Sequence, residues 1–393
     1  MKCRLCHHET KRFLSLGSCP SPNRLLTKEQ LGRDERRYPM DLTFCENCRV
    51  VQSEATIPPE DIFTDYPYAS STSAATRRHF ESLAKSLAAD EAPGSLVIEI
   101  ASNDGVLQRP LREMGIHCIG VEPARNICEL AWQDGLDTRN EFFTEKTVDR
   151  LGPHSADVVI ACNVFAHVPD LRAFTRAVKR LLKDSGQVIL EVEYLGDIID
   201  QVAYGNFYQD HLFYWSLSAL RRFLSSEGLY VHTALRVATQ GGSIRVHANK
   251  RSGVLAEGVL IARGETSWNL QTYQDFAQKV AMAQHQFRST LQELKEAGAC
   301  IAGYGAAAKG LSLLNYCNIG PDIISYIVDD SPLKQGRWSP GSHIPIISPK
   351  QAEGTPPDYL VLLAWNFAEQ LMEQSRHLGA QYILPVPPRV VNT

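Results

Sequence analysis

The chain has 393 residues, 44% hydrophobic and 21% charged, with a formal net charge of -4. At roughly 100–200 residues per domain this is a globular protein of two or three domains, with no basic field for nucleic acid. No apolar run approaches the ~20 residues that span a membrane, so the expected partners are a small molecule and, at most, a second copy in a weak homo-oligomer.

The opening MKCRLCHHETKR lacks the apolar core of a signal peptide. A cytoplasmic protein is therefore expected, with its ten cysteines as thiols or metal ligands rather than a disulfide framework. Residues 1–60 carry Cys3-x-x-Cys6 and Cys45-x-x-Cys48. Paired C-x-x-C knuckles are the pattern of a tetrahedral Cys₄ zinc site, closed and therefore structural, and the metal would give this Pro-, Arg- and Asp-rich stretch a core. His7, His8 and Cys19 are substitute ligands of lower rank, and four unrelated thiols are the bland alternative.

Residues 61–250 are expected to form the second domain. Asp61 to Arg77 reads DIFTDYPYASSTSAATR, either a linker with a capped helix or a loop that shows Tyr66 and Tyr68 to a substrate. Leu96 to Ile100 is a short β-branched run, a candidate buried parallel strand. It enters Ala101-Ser-Asn103-Asp104-Gly105, a helical stretch to Met114, and a second apolar run ending at Glu122. A βαβ unit with a small first turn and an acid after its second strand is the plan of an adenosine site. A dinucleotide would need G-x-G-x-x-G for its pyrophosphate; Gly105 alone, approached through Asn103-Asp104, favours S-adenosylmethionine, whose amino-acid tail meets carboxylates and carbonyls.

Further on, Pro123 and a helix from Asn126 follow Glu122, and Asn140-Glu-Phe-Phe143 is placed to close over an adenine ring. Asp157 to Cys162 reads as a strand, with Asn163-Val164-Phe-Ala-His167 at its carboxyl end, where open α/β sheets bind ligands. Gln187 to Val192 is another strand. Gly205 to Ser216 gathers Tyr208, Asp210, His211 and Tyr214 among aromatics. A carbon beside a ketone becomes a nucleophile once a base removes its proton and a donor meets the oxyanion; Tyr208, Asp210 and His211 offer donor, orienter and base within four residues, and His167 is a further candidate. For each histidine the alternative is a satisfied core residue.

Residues 251–393 read as a helical connection, Trp268 to Ala297, followed by a second Rossmann-like unit. Gly303-Tyr-Gly305-Ala-Ala-Ala-Lys309 repeats the strand–small-loop–helix plan and could cradle a diphosphate, with Asn315 beside it. The same turn would serve a nicotinamide cofactor in a rival reading.

The order of these motifs resembles the sugar C-methyltransferase family along nearly the whole chain. The shared segments are the paired knuckles, E-I-x-S-N-D-G at Glu99 to Gly105, G-V-E-P-A at Gly120 to Ala124, N-V-x-x-H-V-P at Asn163 to Pro169, E-V-x-Y at Glu191 to Tyr194, and the GYGAAAKG, VDDSPLKQG and LLAWN segments of the third domain. The resemblance implies an α/β protein: a central Rossmann-like class I methyltransferase domain between a small zinc domain and a C-terminal Rossmann-like domain. It implies methyl transfer from S-adenosylmethionine to C3 of a nucleotide-linked 4-keto-6-deoxyhexose lying between the core and the C-terminal domain. His211 is then the base, Tyr208 and His167 stabilise the enolate, and Asp210 stands where the family carries Glu. The cofactor site would comprise Glu99, Ala101, Asn103, Asp104, Gly105 and Glu122, with Pro123, Asn126, Phe143, Asn163 and Val164. Position 101 departs from the Gly of many methyltransferases. Methylation at another atom, a nicotinamide-dependent sugar-nucleotide oxidoreductase, and a non-catalytic scaffold are the competing readings.

Overall fold

Leu96–Ile100 is an interior strand of a seven-stranded sheet, and its sequence is apolar except at Glu99 because both faces are covered. Successive side chains point to opposite faces. Val97, with Val158 and Ile189 of the neighbouring strands, packs under Phe80, Leu83 and Leu87 of the helix Ala74–Asp90. Ile98 and Ile100, with Val159 and Leu190, join Phe174 and Val178 on the other side. Each fully buried residue of this kind contributes about 1.5–3 kcal/mol. The computed structural model describes residues 1–63, 66, 68–92, 94–255 and 257–391, the side chain of Asp61 excepted. Thr64, Asp65 and Pro67 of the tyrosine loop, Pro93, Ala256 and the last two residues of the third domain lie outside the described residues.

From one edge the sheet runs Tyr230–Val237, Ser243–Asn249, Leu182–Glu193, Ala156–Cys162, Leu96–Ile100, His117–Glu122 and Thr138–Asn140. Leu96–Ile100 pairs in parallel with strands on both sides. The chain runs outward in one direction and then in the other, so the carboxyl end of Leu96–Ile100 is the topological switch point where such sheets bind ligands. Ser243–Asn249 inserts antiparallel beside Leu182–Glu193 and brings the turn at Gln240 to the same end.

The N-terminal part forms an antiparallel sheet of Lys11–Cys19, Tyr38–Phe44 and Val51–Ser53. Its fourth strand, Phe213–Tyr214, comes from the segment just after His211. The C-terminal part is a six-stranded sheet in the order Ile346–Ile347, Ile327–Val328, Ile301–Tyr304, Tyr359–Leu362, Gln381–Pro385, Pro388–Val391, parallel except at its last strand. The apolar run from Ile323 becomes a strand only at Ile327, because Ile323 and Ile324 donate their N–H groups back to the Gly320 carbonyl and form a turn.

Helix Leu270–Glu296 is capped by Asn269, whose side chain accepts from the N–H groups of Gln271 and Thr272. It is more than a spacer. Tyr273 sits 5.2 Å from Phe13 and 4.6 Å from Phe44 of the N-terminal sheet, and Phe276 sits 5.9 Å from Phe207 of the segment preceding His211 (ring centroids). Among the described residues no helix is long and apolar enough to cross a membrane.

Candidate active site

The sulfurs of Cys3, Cys6, Cys45 and Cys48 lie within 4.8 Å of one another, with Cys3–Cys48 and Cys6–Cys45 each at 3.4 Å. Both knuckles make the same turn. His7 N–H donates to the Cys3 carbonyl and Arg49 N–H to the Cys45 carbonyl, and both residues have a left-handed backbone, φ 60° and 67°. Tetrahedral thiolate ligands at about 2.3 Å from a zinc ion stand about 3.8 Å apart, so the four sulfurs fit zinc with little movement. Cys19 is elsewhere, its sulfur accepting from Gln209 Nε2 at 2.9 Å. The His8 ring turns to the Cys6 carbonyl.

A cavity of about 890 Å³ opens at the carboxyl ends of the central strands, within the ~300–1,000 Å³ of small-molecule sites. Its cofactor-side wall begins where Leu96–Ile100 ends. Ala101, Asn103 and Gly105 adopt left-handed backbone, φ 54°, 50° and 81°, and wind the loop tightly under the cavity. The cost of that conformation for a side chain explains why glycine suits position 101. Glu122 accepts from the Asn103 N–H at 3.0 Å and the Ala124 N–H at 2.8 Å. Burial nevertheless raises its carboxyl to about 7, those two amides opposing the rise. Burial likewise raises Glu99 well above the carboxylate range, with Asp104 and Glu122 adding to it. Glu99 Oε2, Ser102 Oγ and Asn163 Oδ1 are buried without a hydrogen-bond partner among the described residues, and all three residues line the cavity. Pro123, Phe143 and Val164 line it as well, beside Phe142. Unpartnered acceptors facing an apolar wall fit a ligand that carries an ammonium group, hydroxyls and a flat ring.

Three residues expected on the cofactor are turned elsewhere. The Asp104 carboxylate accepts from the Ser71 N–H at 3.2 Å and 3.3 Å, anchoring the turn at Ser70. Gly105 gives room, since a Cβ there would stand 2.1 Å from Leu136 Cδ1. Asn126 brackets Tyr66, donating to its carbonyl at 2.8 Å and accepting from its N–H at 3.1 Å. Tyr66 and Tyr68 both line the cavity, their rings 6.4 Å apart, so the loop presents the pair.

The opposite wall holds the proton-moving groups. Tyr208 Oη and His211 Nε2 are 2.9 Å apart. Nδ1 of the same ring stands 3.6 Å from Glu193 Oε2, too far for a hydrogen bond, and has no well-aligned partner among the described residues. The carboxylate on that side favours the Nδ1–H tautomer, which leaves the Nε2 lone pair to accept from Tyr208. Burial pushes His211 well below the usual histidine range, with His167 and Lys309 adding to the drop. The His167 ring lies 4.7 Å from that of His211 (centroids) and donates from Nδ1 to the Asp210 carbonyl at 2.7 Å. Burial lowers its basicity too.

Asp210 differs from its expected role. Its carboxylate faces away from His211 and accepts from Asn23 Nδ2 at 2.6 Å and Ser21 Oγ at 3.3 Å, both from the cysteine-bearing unit. Burial raises it to about 6 against those two donors. The carboxylate beside His211 is Glu193, the final residue of its strand. The Glu191-Val-Glu193 alternation was the available signal, because residues two apart share a face.

The diphosphate cradle expected at Gly303 to Lys309 is closed. The Ala306 N–H is taken by Asp329 Oδ2 at 2.7 Å, and Cβ atoms at Gly303 and Gly305 would meet Leu363 and Ala364. Asn315 Nδ2 donates to the Leu311 and Pro340 carbonyls. Lys309 is buried, with Nζ 2.6 Å from Glu193 Oε1 and donating to the Gln240 carbonyl. The cavity is therefore completed by Asn23, the helix Pro59–Phe63 and Gln240, and no residue of the C-terminal sheet is among its described lining.

Five parallel strands with a cavity at their switch point, lined by unpartnered acid and amide oxygens, fit an S-adenosylmethionine-dependent methyltransferase. Three protein-family models match the chain in succession: a zinc binding domain over residues 3–63, a methyltransferase domain over 73–234, and a C-methyltransferase C-terminal domain over 238–387. The C-methyltransferase NovU of Streptomyces niveus is 32% identical over 407 aligned positions, covering 100% of this chain and 97% of that protein. The human mitochondrial ubiquinone biosynthesis O-methyltransferase is 29% identical over 105 positions, 25% of this chain and 28% of its own. The magnesium protoporphyrin IX methyltransferase of Synechocystis, solved with bound S-adenosylmethionine, aligns with a TM-score of 0.35 at 18% identity over 44% of this chain and 79% of its own. The chain belongs to the C-methyltransferase family that carries an N-terminal zinc-binding domain.

Proposed function

We propose that this C-methyltransferase acts on C3 of a nucleotide-linked 4-keto-6-deoxyhexose and that His211 is its base. The observation that carries the reading is the His211 ring: buried, neutral, and with its Nε2 lone pair held by a phenol in a cavity shared with the cofactor. S-adenosylmethionine supplies an electrophilic methyl group on its sulfonium. With it bound, Glu122 would accept from the ribose hydroxyls, Glu99 and Asn163 would meet the amino-acid tail, and Phe142 and Phe143 would cover the adenine.

His211 Nε2 takes the C3 proton while the electron pair moves toward the C4 carbonyl oxygen. Tyr208 transfers its hydroxyl donation from His211 to that oxygen, and His167 lies beside it. The carbanion at C3 would be the nucleophile for the methyl group that bound S-adenosylmethionine supplies, with S-adenosylhomocysteine leaving with the methyl–sulfur electron pair and the ketone restored. A positioned base of this kind typically contributes ~10²–10⁴ in rate, and an oxyanion donor about 3–4 kcal/mol. Tyr66 and Tyr68 face the sugar. On this reading residues 1–60, 61–250 and 251–393 act as zinc scaffold, methyltransferase core and a unit that braces the segment carrying His211.

The test is a mass spectrum after incubation with S-adenosylmethionine and dTDP-, GDP- and CDP-linked 4-keto-6-deoxyhexoses. A gain of one methylene on one panel member, retained at carbon after fragmentation, is expected. No gain on any member, with the cofactor bound, would reject the acceptor.

A further inference from the structure

We infer that Lys309, delivered by the C-terminal unit, is a positioning residue for the methyl-transfer reaction: it neutralises Glu193 and thereby holds His211 in the uncharged, Nδ1-protonated form. The inference rests on the assignment of His211 as base.

The three residues come from three parts of the chain. Glu193 closes the strand Leu182–Glu193, His211 sits in the segment that feeds the N-terminal sheet, and Lys309 opens the helix Ala308–Tyr316. Glu193 and Lys309 keep only 9% and 8% of their side-chain surface exposed. Among the described residues neither Glu193 oxygen has a hydrogen-bond donor in good alignment, so its compensation is the ammonium group 2.6 Å from Oε1. Its other oxygen faces His211 Nδ1 at 3.6 Å. Lys309 is fixed from two sides: its Nζ donates to the Gln240 carbonyl, and its own carbonyl lies against Gly205, where a Cβ would stand 2.8 Å away.

A lone carboxylate at this distance from a buried imidazole would stabilise the imidazolium and take away the base. A carboxylate already paired with an ammonium still orients Nδ1–H while its charge is cancelled at longer range. Of the other groups around the ring, the Asn206 backbone favours the charged form but is the smallest of the influences on it. Tyr208 occupies Nε2, and Tyr214 stands edge-on at 5.8 Å. The His167 ring lies tilted at 4.7 Å. The neighbouring Asp210 carboxylate is turned to Ser21 and Asn23. The C-terminal unit is thus coupled to the base through one ion pair, although its sheet does not line the cavity.

The experiment is the pH profile of kcat in two single variants, with the His211 imidazole titrated in parallel by NMR of histidine-labelled enzyme. Lys309→Met leaves Glu193 uncompensated, so the acid limb and the His211 titration move up by at least one pH unit. Glu193→Gln leaves Lys309 uncompensated, so both move down or stay low. Lys309→Arg restores the limb, and the charge-free double variant Glu193→Gln/Lys309→Met brings it back toward wild type, which keeps the test available if Lys309→Met does not fold. A merely structural contact would weaken both single variants without opposite displacements. Shifts of the same sign, or none in the NMR titration, would overturn the inference. Opposite NMR shifts with an unmoved kcat limb would uphold the coupling and reject His211 as base.

Discussion

Asn23 donates its side-chain amide to Asp210 Oδ2 at 2.6 Å, joining residues 187 positions apart and tying the cysteine-bearing unit to the segment that holds His211. The Asp210 main-chain carbonyl in turn accepts from His167, so one residue links the N-terminal unit to both histidines. Hydrogen bonds to charged groups contribute about 1.5–3 kcal/mol. Asn23→Ala should therefore lower kcat/KM by ~10–100-fold while S-adenosylmethionine affinity holds, as steady-state kinetics and calorimetry would show. Unchanged kcat/KM would detach the N-terminal unit from the chemistry.

Metal removal should act by the same route. Cys3 and Cys45 are fully buried, and a closed thiolate site contributes directly to folding. Cys45→Ser or a strong chelator should release close to one zinc per chain, loosen the sheet that Phe213–Tyr214 completes, and abolish turnover. Zinc content by atomic emission, followed with activity, checks this; full activity in metal-free protein would contradict it.

Cofactor affinity should depend on pH through Glu122. Its carboxyl is raised to about 7 in the free protein by burial. The ionised form accepts more strongly from ribose hydroxyls. Binding therefore favours proton loss, so affinity rises as pH climbs through 7 and levels off above it, falling up to about tenfold per unit below. Calorimetry from pH 6 to 8 should show that rise in wild type, and Glu122→Gln should bind more weakly with the rise removed.

Gly105→Ala should destabilise the core without touching the ligands. The backbone there has φ 81°, and the added Cβ would meet Leu136 at 2.1 Å. Left-handed strain of about 1–2 kcal/mol adds to an overpacking cost of about 1–3 kcal/mol. Denaturant unfolding of the two proteins measures the sum.

The switch-point half of the site was readable because it is local: an apolar run, a small-residue turn and an acid follow one another within Leu96 to Glu122. The zinc site was readable because its four ligands have a fixed spacing. The N-terminal strands were not read, because their core comes from afar; Leu42 and Phe44 are buried with Tyr273 and Phe276 of the long helix. Asp210 was assigned by its neighbour in sequence, whereas the carboxylate at His211 belongs to a strand end 18 residues earlier. Lys309 looked like a phosphate ligand in a glycine-rich turn, and only the packing of the C-terminal unit on Gly205 reveals its partner as Glu193.

The most direct test of the account is hydrogen exchange at C3 of the acceptor in deuterated water, with S-adenosylhomocysteine in place of the cofactor so that no methyl can transfer. The wild-type enzyme should exchange that proton, and His211→Gln should not, while both bind S-adenosylhomocysteine with similar affinity. Exchange at the wild-type rate in His211→Gln would rule His211 out as the base.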